Sequence, residues 1–346
     1  MNAASLRGAL LAALACVLVG ASFTANSLLG DYPHAGGQAV RYGLATLLLL
    51  PLIARDRRTD TARDRRTDPI VVLCGLGPGQ WARLALLAAV GMVGFNLTVL
   101  QAERSAEPAV PGVFVGCAPI LVAVLVPLLD NRRPAPAVLR AAVLVAAGAF
   151  TVQGWGRTDP AGILWSAGAL AGEAGFAVIA VPVLRPLGPR LLSAAVCAVA
   201  AVESLLLGLV LDGGGGVVRT PTPGEALALL WQAAVVTVVG FVCWYMGMQR
   251  IGAERATLFS GLIPVSAALT APLVGTGSYG IPQAVGSVLV GLGVALGSGV
   301  LSRRRGDPDA GPAADGGNDG HRRRPAVRRD VIATGPAEPG GRRDGR

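Results

Sequence analysis

The sequence predicts an all-α fold: a polytopic membrane protein of ten transmembrane helices, arranged as two inverted five-helix repeats. Three observations carry this. Hydrophobic residues make up 52% of the chain and charged residues only 15%, with a mean hydropathy of +0.56, too apolar for a soluble domain of this length. Apolar runs near the 20 residues needed to cross about 30 Å of hydrocarbon recur along the chain. The second half also repeats the first at a gapless offset of 145 residues: Phe259, Gly261, Pro264, Ala268, Pro272, Leu273, Val288, Leu289, Val290 and Gly293 match Phe114, Gly116, Pro119, Ala123, Pro127, Leu128, Val143, Leu144, Val145 and Gly148. Halves with an odd number of spans enter the bilayer in opposite senses, the architecture typical of secondary transporters.

The spans are expected near residues 7–29, 36–54, 81–101, 107–129, 137–155, 160–183, 190–211, 226–248, 253–275 and 281–301. This divides the chain into a first repeat over 7–155, a second over 160–302 and a tail over 303–346. Arg7 precedes the first apolar run, as in a signal peptide, but the run is too long and no clear cleavage site follows, so it is kept as a span. RDRRTD occurs twice within 55–68, a tandem duplication that reads as a solvated loop. The tail is rich in Gly, Pro, Asp and Arg and short of large apolar side chains, so a disordered cytoplasmic tail is expected.

Charge sets the orientation. All 30 basic residues are arginine. With the N-terminus inside, 18 arginines of the body fall at cytoplasmic ends and loops, against Arg104, Arg157 and Arg219 outside. Positive loops stay on the cytoplasmic side, so both termini are expected in the cytoplasm and the protein in the plasma (inner) membrane. The net charge of +9 lies between apolar runs and in the tail, which favours membrane lipids over nucleic acid as its partner.

Absent residues exclude several chemistries. A chain without lysine has no phosphate-binding P-loop lysine and no Schiff base. Its histidines are His34, in a short outer loop, and His321, in the tail, so no histidine base or histidine metal site lies at membrane depth. An enzyme is not expected, nor is a catalytic residue, a cofactor or a metal. The five cysteines imply no disulfide framework.

Polar groups inside the spans are the candidates for function, because a charge in mid-bilayer costs about 2.5–3.5 kcal/mol on insertion scales and normally faces a cavity or a partner. Glu173 stands in mid-span among Gly168, Gly172 and Gly175, which admit a close neighbour. Two readings stay open for it: a carboxylate that exchanges protons or senses a cation, or an ion-pair partner of Arg41 that holds the halves together. Arg41 lies a few residues inside the outer boundary, where its stem reaches the interface. Glu203 lies nearer the outer end of its span. Thr98 and Gln101 share a face with Gly94, while Asn96 points elsewhere; Trp244 shares one with Gly240 and Gly247, either as a wall for a small organic solute or as a lipid contact. Pro119 and Pro264, repeat partners at mid-span, each remove a helix hydrogen bond and are candidate kinks or gates.

The segments VLVGASFTANSLL, AVRYGLATLLLLPL, SAEPAVPGVFVGCAPILVAVLVPLL and IGAERATLFSGLIPVSAALTAPLV resemble the EamA-type branch of the drug/metabolite transporter superfamily, over residues 7 to 302. The resemblance implies a ten-helix inverted-repeat fold with both ends cytoplasmic. It further implies export of amino acids, other metabolites or toxic compounds, with uptake in some members. It places Arg41, before the aromatic Tyr42, at a position where the family often has an arginine, and a central cavity among the third, fourth, eighth and ninth spans. The start of the fourth span, Ser105 to Pro108, is two residues out of register with its partner at Gly252 and Ala253.

The function expected is secondary active transport of a small metabolite, amino acid or drug, outward, by alternating access and driven by protons. A homodimer is a further expectation. The competing reading is a non-transporting membrane sensor or scaffold whose buried polar residues are structural only.

Overall fold

In the computed structural model, residues 3–298 are described, apart from 27–28, 30–31, 60–68, 108, 155, 212–215 and 275–277. The expected tail and most of the RDRRTD loop lie outside the described residues. Among the described residues the fold is all helix; the sole extended pairing is an isolated bridge between Ala106 and Thr158.

The helices are Ala3–Asn26 (α1), His34–Thr59 (α2), Pro69–Cys74 (α3), Pro78–Ala88 (α4), Phe95–Ser105 (α5), Ala109–Gly116 (α6), Ala118–Leu129 (α7), Pro136–Gln153 (α8), Pro160–Leu211 (α9), Pro223–Trp231 (α10), Gly240–Ile251 (α11), Ala253–Ala256 (α12), Leu262–Thr270 (α13) and Ile281–Gly297 (α14). Several begin on proline, which tolerates the first turn because its missing N–H would have no helical partner there. Eight described stretches are long and apolar enough to cross a bilayer: α1, α2, Pro78–Ser105, Ala109–Leu129, α8, α9, Pro223–Ile251 and Ala253–Leu273; α14 is a shorter apolar helix.

α9 covers the ground of the predicted sixth and seventh spans. Its 52 residues would extend about 78 Å as one straight helix, far more than a bilayer requires. The chain turns at Gly188, whose φ of 70° and ψ of 166° no other residue adopts without strain.

Two long stretches carry π-helical turns in their middles. Ala89–Gly94 joins α4 to α5, and Gln232–Val239 joins α10 to α11. The two segments end 145 residues apart, at the repeat offset. The proline-centred stretches break at matching positions too. α6 gives way to α7 at Cys117, and a 3-10 segment, Thr257–Gly261, gives way to α13 at Leu262, again 145 residues on. Each break falls just ahead of the repeat prolines Pro119 and Pro264, where the ring cannot supply the N–H that would continue the ladder.

α8 packs on its repeat counterpart α14 through glycine. A Cβ at Gly148 would lie 2.7 Å from the Val290 nitrogen, and one at Gly293 would lie 2.7 Å from Cγ2 of Val145. A Cβ at Gly286 would come within 2.7 Å of both the Val152 nitrogen and the Gly148 carbonyl. As the α8 residue advances from Val145 to Val152, its α14 partner recedes from Gly293 to Gly286, so the two helices are antiparallel. Gly148 meets Val290 as Gly293 meets Val145, the reciprocity of a two-fold contact. Small residues drive such contacts in membranes because they let backbones approach.

Overpacking a closed contact costs about 1–3 kcal/mol. Gly148→Leu should therefore lower the thermal midpoint of purified protein by several degrees. Gly291→Ala, where a Cβ would meet nothing within 4 Å, should leave it unchanged or raise it slightly. Equal midpoints for the two variants in differential scanning fluorimetry would contradict this packing.

Candidate functional site

A cavity of about 370 Å³ lies within the bundle, inside the range typical of small-molecule sites. Its walls come from α1 (Cys16, Val19), α2 (Gln38, Arg41, Tyr42), α5 (Phe95, Asn96, Glu103), α9 (Glu173, Phe176) and α11 (Phe241, Trp244), with Ile263 of α13 at its base. The lining runs from mid-bundle to the end where α1 meets α2, and there His34 and Glu103 are exposed. That end is braced by two ion pairs. Arg157 donates from Nε to Glu107 at 2.8 Å and holds that carboxyl below the usual carboxylate range. Arg219 grips Glu225 with both terminal nitrogens and lies over the Tyr32 ring, whose hydroxyl donates to the Arg219 carbonyl at 2.9 Å.

Below Trp244 the bundle is sealed. Tyr245, Leu84, Leu87, Leu49 and Leu192 have no exposure, and Met248 has 3%. Phe176, Phe241 and Tyr245 form an aromatic cluster with ring centroids 5.3, 5.6 and 6.3 Å apart. Lower still, a Cβ at Gly247 would come 3.0 Å from the Gly8 carbonyl, so α11 and α1 touch backbone to backbone. Arg132 donates from one nitrogen to Glu254 at 2.9 Å and to Asp130 at 2.9 Å, joining the turn after α7 to the start of α12.

Arg41 and Tyr42, neighbours on α2, tie the two π-segments together. Arg41 donates from Nε to the Thr237 hydroxyl at 2.8 Å, and its guanidinium stands 5.4 Å from the Tyr42 ring centre. Asn96 donates from Nδ2 to the Tyr42 hydroxyl at 3.1 Å and to the Met92 carbonyl at 2.7 Å. Met92 and Thr237 are themselves 145 apart, one in each π-segment.

Of the residues singled out from sequence, Glu173, Arg41 and Trp244 meet in this cavity. Glu173 has no hydrogen bond or ion pair among the described residues, and Arg41 is bound to Thr237 instead. The remaining candidates lie elsewhere. Thr98 donates to the Phe95 carbonyl and packs against Gly168, where a Cβ would lie 2.9 Å from its methyl group. Gln101 accepts from Arg104 at the exposed end of α5. One oxygen of Glu203 is buried without a partner among the described residues, outside the cavity lining. Pro119 and Pro264 are buried in the wall behind. The fourth span contributes no lining residue; α1, α2 and α9 do, beyond the walls the family resemblance implied.

Polar lining residues that the sequence reading does not single out include Asn96, Gln38, Glu103, Ser22 and Gln232. On α5 the lining residues are Phe95, Asn96, Val99, Leu100 and Glu103, and the spacing of three and four from Asn96 to Glu103 is the ordinary one-face pattern of a helix. That spacing was available. The rival face through Gly94 and Thr98 drew attention through its small residues, and small residues mark helix contact more often than cavity.

A bundle of long apolar helices around a solute-sized cavity with a few polar groups in its wall defines a multi-pass integral membrane protein. The profile described as "EamA-like transporter family" matches twice, over residues 6–153 and 160–299, and the chain belongs to that family. It is a membrane transporter by this membership. Two relatives from Bacillus subtilis (strain 168) are similar along nearly their whole lengths. "Uncharacterized transporter YyaM" is 22% identical over 293 residues, covering 82% of this chain and 91% of its own. "Uncharacterized transporter YetK" is 22% identical over 314 residues, covering 88% and 89%. A solved crystal structure superposes with a TM-score of 0.67 at 20% identity, over 84% of this chain and 96% of its own, so the fold is shared.

Thr237→Val removes the acceptor of the Arg41 hydrogen bond and keeps the volume. Leaving a buried charged donor unmet costs about 1–3 kcal/mol, so the thermal midpoint should fall, and adding Arg41→Met should recover part of the loss. Additive losses in the double variant would show that the two side chains are not coupled.

Proposed function

We propose that this chain is a secondary active transporter that exports a small amphiphilic metabolite, amino acid or drug across the plasma membrane by alternating access, with proton coupling at Glu173. The observation that carries the reading is a carboxylate in mid-span that lines the cavity and has no hydrogen bond or ion pair among the described residues. A carboxylate kept only for stability would be paired, because an isolated buried charge is costly. A non-transporting scaffold gives no reason for this one to line the cavity. Arg41, held by Thr237, supplies the opposite charge on the facing wall.

Ten spans in two inverted repeats fit this reading. α9 divides at Gly188 into two lengths that each suffice to cross, and α14 completes the second repeat. The antiparallel seam of α8 and α14, the paired π-segments and the double family match support repeats over 7–155 and 160–302 that enter the membrane in opposite senses. With the arginine-rich ends inside, the cavity faces outward and both termini are cytoplasmic. The conformation is then outward-open, with the aromatic cluster as its floor.

Flux in proteoliposomes under an imposed pH gradient tests this, with amino acids, nucleosides, polyamines and antibiotics as the panel. Glu173→Gln keeps shape but removes the titratable group. Gradient-driven accumulation should drop more than about tenfold, while insertion and substrate exchange persist. Thr98→Val should leave flux intact. Unchanged pH-dependent flux in the Gln variant would end the coupling role, and no flux of any solute by the native protein would end the transport reading.

A further inference from the structure

The sealed end of α11 is built like the open end of α5. The π-segments that precede them end at Gly94 and Val239, at the repeat offset of 145 residues, so the two helices can be compared position by position. On α5 the lining residues are Phe95, Asn96, Val99, Leu100 and Glu103. The matching residues on α11 are Gly240, Phe241, Trp244, Tyr245 and Met248. Phe241 and Trp244 already line the cavity; Tyr245 and Met248 continue the same stripe but are packed shut beneath it.

Three further features set this lower stripe apart. The Tyr245 hydroxyl, and just above it the Trp244 indole nitrogen, are buried with no hydrogen-bond partner among the described residues, an arrangement that penalises the closed state. The helix leaves a π-segment above, a geometry that recurs at functional sites. Below, it ends at Gly252, whose φ of 83° marks a sharp joint, and two residues on Glu254 is held by Arg132.

We infer that the Tyr245–Met248 turn of α11 is the inner gate and becomes the wall of the substrate pathway in the inward-open state, swinging below the π-segment Gln232–Val239, with Arg132–Glu254 as the latch that keeps it shut. The inference rests on the alternating-access reading above. When α11 parts from α9, the Phe176–Tyr245 contact breaks and the Tyr245 hydroxyl gains water. The stripe from Phe241 to Met248 then faces the cytoplasm as the stripe from Asn96 to Glu103 now faces outside. Glu103 and Met248 are counterparts, so the pathway is acidic at its outer mouth and apolar at its inner one.

Cysteine accessibility in the full-length protein tests this. Met248→Cys and Leu100→Cys are each reconstituted and treated with an impermeant maleimide from one side, and peptide mass spectrometry separates the new site from the native cysteines. Position 248 should react slowly from the cytoplasmic side and position 100 from the outside. Adding Arg132→Ala should speed the first about two- to fivefold, the worth of a part-exposed ion pair, and slow the second. Tyr245→Phe, which removes only the unpartnered hydroxyl and stabilises the closed state, should slow labelling at 248 by about fivefold or more. Position 248 silent in every background, while position 100 reacts and solute flux continues, would overturn the gate and leave the transport reading intact. Labelling that shifts as expected without any solute flux would support the gate and overturn the transport reading.

Discussion

Arg41 and Tyr42 are consecutive on α2, and between them they bind both π-segments of the bundle. Arg41 reaches Thr237 directly and Tyr42 reaches Met92 through Asn96. A π-turn shifts the register of backbone hydrogen bonding and leaves carbonyls that bilayer water cannot satisfy. Side chains serve there instead. Asn96, four residues on in the same stretch, donates to the Met92 carbonyl, and Arg41 of α2 donates to the Thr237 hydroxyl in the other segment. The cavity is the space this arrangement holds open, since a helix anchored at two irregular turns cannot close onto either of them.

The glycine seam between α8 and α14 has the opposite task. There a backbone approaches a backbone with no side chain between, at Gly148, Gly286 and Gly293. In a bilayer no hydrophobic drive pushes helices together, so close van der Waals contact is the main source of association. The seam is therefore a rigid base that joins the two halves far from the cavity, while α5 and α11 carry the irregular turns that line it. Glycines on α9 bring that helix against the third span in the same way: Gly172 meets Phe95 and Gly175 meets Val90. Glu173 sits between those contacts, which leaves its carboxylate one direction, into the cavity.

Much of this was legible in the sequence because bilayer constraints are severe. Hydropathy finds the spans, and a shared offset finds the repeat. Charge rarity points to Arg41 and Glu173, and both line the cavity. The choice of face was less legible. Thr98 and Gln101 share a face with Gly94 by spacing, whereas Thr98 packs its methyl on Gly168 and satisfies its hydroxyl on its own helix, outside the cavity lining. Asn96 was passed over although its four-residue spacing from Leu100 and seven-residue spacing from Glu103 define the true cavity face. The π-segments were not legible at all, because no residue type encodes an extra residue per turn; their position emerges only when the two halves are superposed. Gly188 was legible as a loop between spans but not as the single joint of α9.

The two ends of the bundle differ in chemistry in a way that follows from what each must do. The end that bears His34 and Glu103 is wet, and its ion pairs, Arg157 with Glu107 and Arg219 with Glu225, brace loops against one another in water. The opposite end is closed by leucine, alanine, glycine and three aromatic rings. An apolar closure excludes water without hydrogen bonds that must break before it opens, so on the proposed reading its barrier is set by contact area and by rim contacts such as the ion pair of Arg132 with Glu254. Placing polar groups in that plug would bind it shut or leave it leaking. Among the described residues the Tyr245 hydroxyl in that plug has no hydrogen-bond partner, nor has the Trp244 nitrogen just above it, and both raise the energy of the closed arrangement. On the proposed alternating-access reading, a seal closed by packing rather than by polar locks is the balance a two-state pathway needs.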